Sequence, residues 1–116
     1  MQLQRDSKLL RIFIGEMDKV DHQPLYEALL FAAKKQGIAG CTIIRGTMSY
    51  GASTLVHTAK LLDFSMDLPV VVEIVDKEEK INDFLKIVDD LMEKAGCGGL
   101  VTVEAAEVLR YVKRKN

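Results

Sequence analysis

An α+β fold is predicted for this sequence, with an antiparallel four-stranded sheet carrying two helices on one face. Three features predict it. Apolar residues recur with the two-residue period of strands and the 3.6-residue period of helices, in the order strand, helix, strand, strand, helix, strand. Glycine, proline and acidic residues punctuate the joints. The length, 116 residues, corresponds to a single domain (1–116) large enough to build a real core.

The first strand is KLLRIFIG (8–15). Leu10, Ile12 and Ile14 share one face, and Leu9 and Phe13 share the other with Arg11 between them. DHQPLYEALLFAAKKQG (21–37) reads as the first helix: Asp21 caps it, Pro24 lies in the first turn, and Gly37 ends it. Leu25, Ala28, Leu29, Ala32 and Ala33 form its buried stripe. GCTIIRG (40–46) is a short strand between glycines, and PVVVEIVD (69–76) is a strand whose only internal charge is Glu73.

The second helix, 76–96, is the clearest element. Asp76 and Glu79 make a capping-box-like pair. Ile81, Phe84, Leu85, Val88, Leu91 and Met92 recur at helical spacing. GLVTV (99–103) is the last strand of the core pattern. The tail EAAEVLRYVKRKN reads either as a turn and a short strand, VLRYV, or as a single helix. The β-forming Val108, Tyr111 and Val112 favour the turn and strand. This order is the split βαβ, ferredoxin-like βαββαβ arrangement. Leu9, Phe13 and the run of three valines leave an apolar open sheet face, which predicts association with other subunits.

Two places exceed what the fold needs. The connection between the second and third strands, 46–68, is far longer than a hairpin requires, and loops of this kind are usually functional. Leu55, Ala59 and Leu62 give part of it a helical face, and Gly46 and Gly51 punctuate its start. The other place is EKAGCGGLVTV, where Gly96, Gly98 and Gly99 crowd around Cys97. One glycine suffices for a helix cap. Several permit backbone N–H groups to converge on an anion. The helix end presents its negative pole here, so a basic side chain must assist, with Arg45, Arg110 and Lys113 as candidates. The structural alternative is a left-handed cap followed by a β-bulge.

Composition narrows the function. A formal net charge of −1 gives no pull toward nucleic acid or anionic membrane. The strand pattern lacks the paired aromatics of RNA-binding sheets. No apolar run approaches a membrane span, and the first residues do not read as a secretory signal. Cys41 and Cys97 have no metal-ligand spacing, so a cytoplasmic protein with free thiols and no metal site is expected. No nucleophile–base pair or Walker loop marks it as an enzyme. His57, within 46–68, is more naturally solvated or packed than a ligand.

The order of elements, GCT opening the second strand, the long loop with spaced glycines, LPVVVEIVD and GCGGLVTVEAAEVLR together resemble the PII signalling superfamily. More closely, the chain is similar to the PII-like family called domain of unknown function one hundred and ninety. The resemblance spans about 8–112. It implies a homotrimer whose long loops, the T-loops, report an adenine nucleotide bound between subunits to a partner protein. The family's frequent association with fluoride-exporter genes implies a membrane transporter as that partner. Carried over, Gly96, Cys97, Gly98 and Gly99 would hold phosphates. Gly40, Cys41 and Thr42 would contact base or sugar from the neighbouring subunit. Gly46 and Gly51 would sit at the loop base, Glu73 and Ile74 would line the cleft, and Arg110 would reach phosphate or ribose.

Departures from the PII pattern bear on the ligand. The acidic residue and lysine of the PII phosphate loop are replaced here by Cys97 and by Gly99 or Leu100, and Val108 stands where a second tail arginine would be. Less positive charge favours ADP, AMP or a cyclic nucleotide over ATP. The nucleotide acts as an effector; no catalytic cofactor is expected. The alternative is a structural or metal-tolerance trimer of the copper-tolerance type that binds no nucleotide.

Overall fold

The computed structural model describes residues 5–49, 57–58 and 68–115. β1 spans Asp6–Gly15. A small hairpin follows, β2 (Lys19–Val20) paired with β3 (Gln23–Pro24). Next come α1 (Leu25–Lys35), β4 (Cys41–Arg45), and the two-residue strands β5 (Met48–Ser49) and β6 (His57–Thr58). β7 (Pro69–Asp76), α2 (Glu78–Ala95) and β8 (Leu100–Glu107) complete the chain. The main sheet has the order β4-β7-β1-β8, antiparallel throughout. This is the ferredoxin-like arrangement that the periodicity predicts.

The helices pack on one face. Leu10, Ile12 and Ile14 of β1 and Val70, Val72 and Ile74 of β7 meet Leu25, Leu29 and Ala33 of α1 and Ile81, Phe84 and Val88 of α2. Ala28, Ala32, Leu85, Leu91 and Met92 pack partly buried at the margin, so each helical stripe is narrower than its sequence pattern.

The open face is built in cross-strand rungs. Ile44, Val71, Phe13 and Leu100 form an apolar rung across all four strands. The next rung is Thr42, Glu73, Arg11 and Thr102. Arg11 donates from Nε to Glu73 at 2.9 Å and pairs with Glu104 from its other branch. The face is therefore apolar at one end and charged across its middle. Glu73, expected to line a ligand cleft, is half-buried on this face and paired with Arg11.

Several local expectations are corrected. Asp21 does not cap α1. Asp21 and His22 have φ of 50° and 65° and form the two-residue turn between β2 and β3, a connection that favours left-handed residues. The helix begins after Pro24, whose fixed φ suits a helix start. Its other end is a Schellman motif: Gly37 N–H bonds the carbonyl of Lys34, and Ile38 N–H bonds that of Ala33.

Asp76 and Glu79 make no capping box either. Asp76 is fully buried and accepts from the N–H of Lys77 at 2.7 Å and of Ala39 at 2.9 Å. It ties the approach to β4 to the start of α2.

The tail strand is also corrected. β8 continues without a turn to Glu107, and 108–115 have no regular structure. Pairing decides this: Glu104 and Ala105 find ladder partners in Leu9 and Lys8, and because β1 begins two residues earlier than its pattern, Ala106 and Glu107 find theirs in Ser7 and Asp6. In the long connection, His57 and Thr58 are extended and pair with Met48 and Ser49, so the helix expected across 55–62 is not continuous. The rest of that expected helix lies outside the described residues.

Candidate functional site

The glycine corner resolves into three different roles. Gly96 adopts φ 65° and closes α2, its N–H bonding the carbonyls of Met92 and Glu93. Gly99 is required by close approach: a Cβ there would come within 2.8 Å of the Phe13 carbonyl oxygen and of the Met92 methyl. Gly98 has ordinary φ and nothing within 4 Å of where a Cβ would be. The cap and the close contact account for two glycines, and Gly98 is left with no local demand that explains it.

Cys97 between them is half-buried, and its thiol is pushed above the usual range by burial first and by the Asp18 carboxylate second. A reactive, low-pKa thiol needs the opposite environment. Asp18 lies on the turn after β1, where its carboxylate accepts from Gly15 N–H at 2.7 Å. The surroundings of the corner within one chain are thus acidic on this side.

The base of the 46–68 connection lies at the same end of the sheet. Gly46 N–H bonds the Pro69 carbonyl at 2.7 Å, and Glu16 N–H bonds that of Leu68 at 2.8 Å. A Cβ on Gly46 would press on the Pro69 ring at 2.9 Å. Arg45, the last residue of β4, forms an ion pair with Glu16 after β1. Because β7 lies between β4 and β1, this pair spans the start of β7. Gly51 lies outside the described residues.

Gly40, Cys41 and Thr42 lie at the other end. Cys41 pairs with Ile74 and Thr42 with Glu73. The Cys41 thiol is raised by burial to about 11. The tail reaches this end too: Tyr111 donates its hydroxyl to the Ala39 carbonyl at 2.6 Å, and Val108 N–H bonds the Arg5 carbonyl. Arg110 is exposed beside it.

The candidate residues therefore form two groups. Arg45, Gly46 and the corner 96–99 lie at one end, and Gly40, Cys41 and Arg110 at the other. About 13 Å of β4 separates Arg45 from Cys41, and about 20 Å separates Gly46 from Gly40. Ile74 is fully buried under the helices and cannot line a cleft. A shallow concavity of ≈ 420 Å³ among the described residues is also away from the corner, lined by Asp6, Ser7, Lys8, Glu78, Ala105, Ala106 and Glu107. Its carboxylates are the wrong sign for a phosphate. Among the described residues, no group of three His, Cys, Asp or Glu side chains is placed to hold a metal, and no helix is long and apolar enough to cross a membrane.

Sequence reasoning misses Glu16, Asp18 and Tyr111. Glu16 and Asp18 lie in a turn with no periodic signal. Tyr111 reads in the sequence as a strand former, whereas its hydroxyl is what anchors it. The Arg11–Glu73 pair has a signal: each is the one charge inside an apolar run, LLRIFIG and PVVVEIV.

The architecture is that of a PII-like, ferredoxin-like domain. The chain belongs to the DUF190 family, described as Uncharacterized ACR, which it matches over residues 7–108. A UPF0166 protein of Aquifex aeolicus is 41% identical over 102 residues, covering 88% of this chain and 92% of that protein. Among solved structures, CPII of Thiomonas intermedia K12 aligns with a TM-score of 0.69 at 20% identity, over 94% of this chain and 92% of CPII. That structure is described as a nitrogen regulatory PII-like protein bound to ADP, AMP and bicarbonate. A PII-like protein of Thermus thermophilus aligns with a TM-score of 0.65 at 21% identity, over 97% of this chain and 100% of that one. At these identities the solved structures establish the fold.

Proposed function

We propose that this chain is a cytoplasmic, nucleotide-sensing regulatory protein that acts as a homotrimer. ADP or AMP binds between subunits, and residues 46–68 carry the signal to a partner protein, a membrane transporter or another target. It is a binding and signalling module and performs no catalysis.

One observation carries this reading: the candidate residues are divided between the two ends of the sheet. Neither end of one chain holds a complete site. A second copy would bring the Gly40–Cys41–Thr42 and Arg110 end of one subunit to the Gly96–Gly99 and Arg45 end of the next. The apolar rung on the open face, with Ile44 46% and Leu100 56% exposed, supplies a surface for association. CPII, which shares the fold, is described with ADP and AMP bound. Gly98, free of any local requirement, is the position where bare backbone would serve a phosphate.

Calorimetric titration with ATP, ADP, AMP and cyclic AMP, with and without magnesium, tests the proposal. Saturable binding near one nucleotide per chain is expected for ADP or AMP. Gly98→Val is expected to abolish it while the assembly mass in light scattering stays unchanged. Binding that is absent for all four nucleotides, or untouched by Gly98→Val, overturns the reading or the site respectively.

A further inference from the structure

The cation that the sequence places at the loop base is already engaged. Arg45 forms an ion pair with Glu16, with the arginine side chain 61% exposed and the carboxylate 22% exposed. The carboxylate is held from its backbone, because Glu16 N–H is bonded to Leu68. Asp18, two residues on, is committed to Gly15 N–H. A guanidinium presents a fork of donors that takes a carboxylate or a phosphate in the same way. The same turn adjoins both Arg45, through Glu16, and the glycine corner, where the Asp18 carboxylate helps to raise the Cys97 thiol.

We infer that Glu16 is an internal competitor for Arg45, a carboxylate that an anionic effector must displace, and that it thereby sets the affinity of the site. The inference rests on the nucleotide reading above. Surface ion pairs contribute little, so displacement is easy and the carboxylate tunes affinity without blocking the site. Glu16 is a positioning residue: it touches Arg45, and acts on the ligand only through it. The chemistry it discriminates is charge, so it works on the phosphates of a nucleotide and leaves the nucleoside untouched.

The test is calorimetric titration of the whole chain, wild type and Glu16→Gln, with ADP, inorganic pyrophosphate and adenosine. Glu16→Gln is expected to bind ADP and pyrophosphate about three- to fivefold more tightly, with adenosine binding unchanged. Glu16→Ala must shift in the same direction, which guards against one variant failing to fold. In an Arg45→Gln background the gain must vanish. Equal or weaker ADP binding by both Glu16 variants overturns the inference while leaving the nucleotide reading intact. So does a gain that appears equally for adenosine or survives without Arg45. Wild-type protein that binds no nucleotide at all overturns both.

Discussion

Tyr111 donates its hydroxyl to the carbonyl oxygen of Ala39 at 2.6 Å, fastening the tail to the approach of β4. The same Ala39 gives its N–H to the buried carboxylate of Asp76. One peptide segment thus joins the tail, β4 and the start of α2 through two hydrogen bonds.

The tail contact lies at the surface, and the tail has no regular structure around it. Tyr111→Phe removes the hydroxyl alone. It is expected to cost less than about 1 kcal/mol of global stability. Trypsin trimming at Arg110, Lys113 and Arg114 should become faster while the melting temperature stays nearly constant. Unchanged trimming would mean that the hydroxyl does not hold the tail.

Asp76 is the stronger joint. Its two oxygens satisfy two backbone N–H groups from different elements. Asp76→Ala leaves both without their partner, and a destabilisation of about 2–4 kcal/mol is expected. Asp76→Asn keeps one acceptor and should fall between. Urea denaturation measures both, and a midpoint unmoved by Asp76→Ala would refute this role.

The glycines of the corner should separate by phenotype. Gly99→Ala pushes a methyl against the Phe13 carbonyl, which is backbone and does not yield cheaply. A loss of about 1–3 kcal/mol is expected. Gly98→Ala meets open space and should leave the melting curve in place. Equal effects at the two positions would show that the corner is one structural unit.

Cys41 should resist alkylation. Burial raises its thiol from 9.0 to about 11, so at pH 8 roughly a hundredfold less thiolate is present than for an ordinary thiol. The folded state holds this proton more tightly than the unfolded chain. Its stabilising contribution is therefore complete below pH 9 and is lost as pH rises through about 11. Iodoacetamide labelling followed by mass spectrometry checks the rate and its rise with pH. Fast labelling of Cys41 at pH 8 in the folded protein would contradict the burial argument.

The sequence by itself determined the order of the two helices and the four main-sheet strands, the bounds of the third sheet strand and the central members of both helical core stripes. These are local properties, since an apolar period reports which face of an element is buried. Only the tertiary structure decided the rest. It turned Asp21 from a cap into a hairpin turn, because the pairing of Lys19–Val20 with Gln23–Pro24 competes with the helix start. It extended β8 through Glu107, because β1 supplied the partners. It separated Gly96 and Gly99, which the backbone requires, from Gly98, which it does not. It set Glu16 against Arg45, and Tyr111 against Ala39, across 72 residues in the second case. Such contacts depend on which strands become neighbours, and no local window of sequence carries that information.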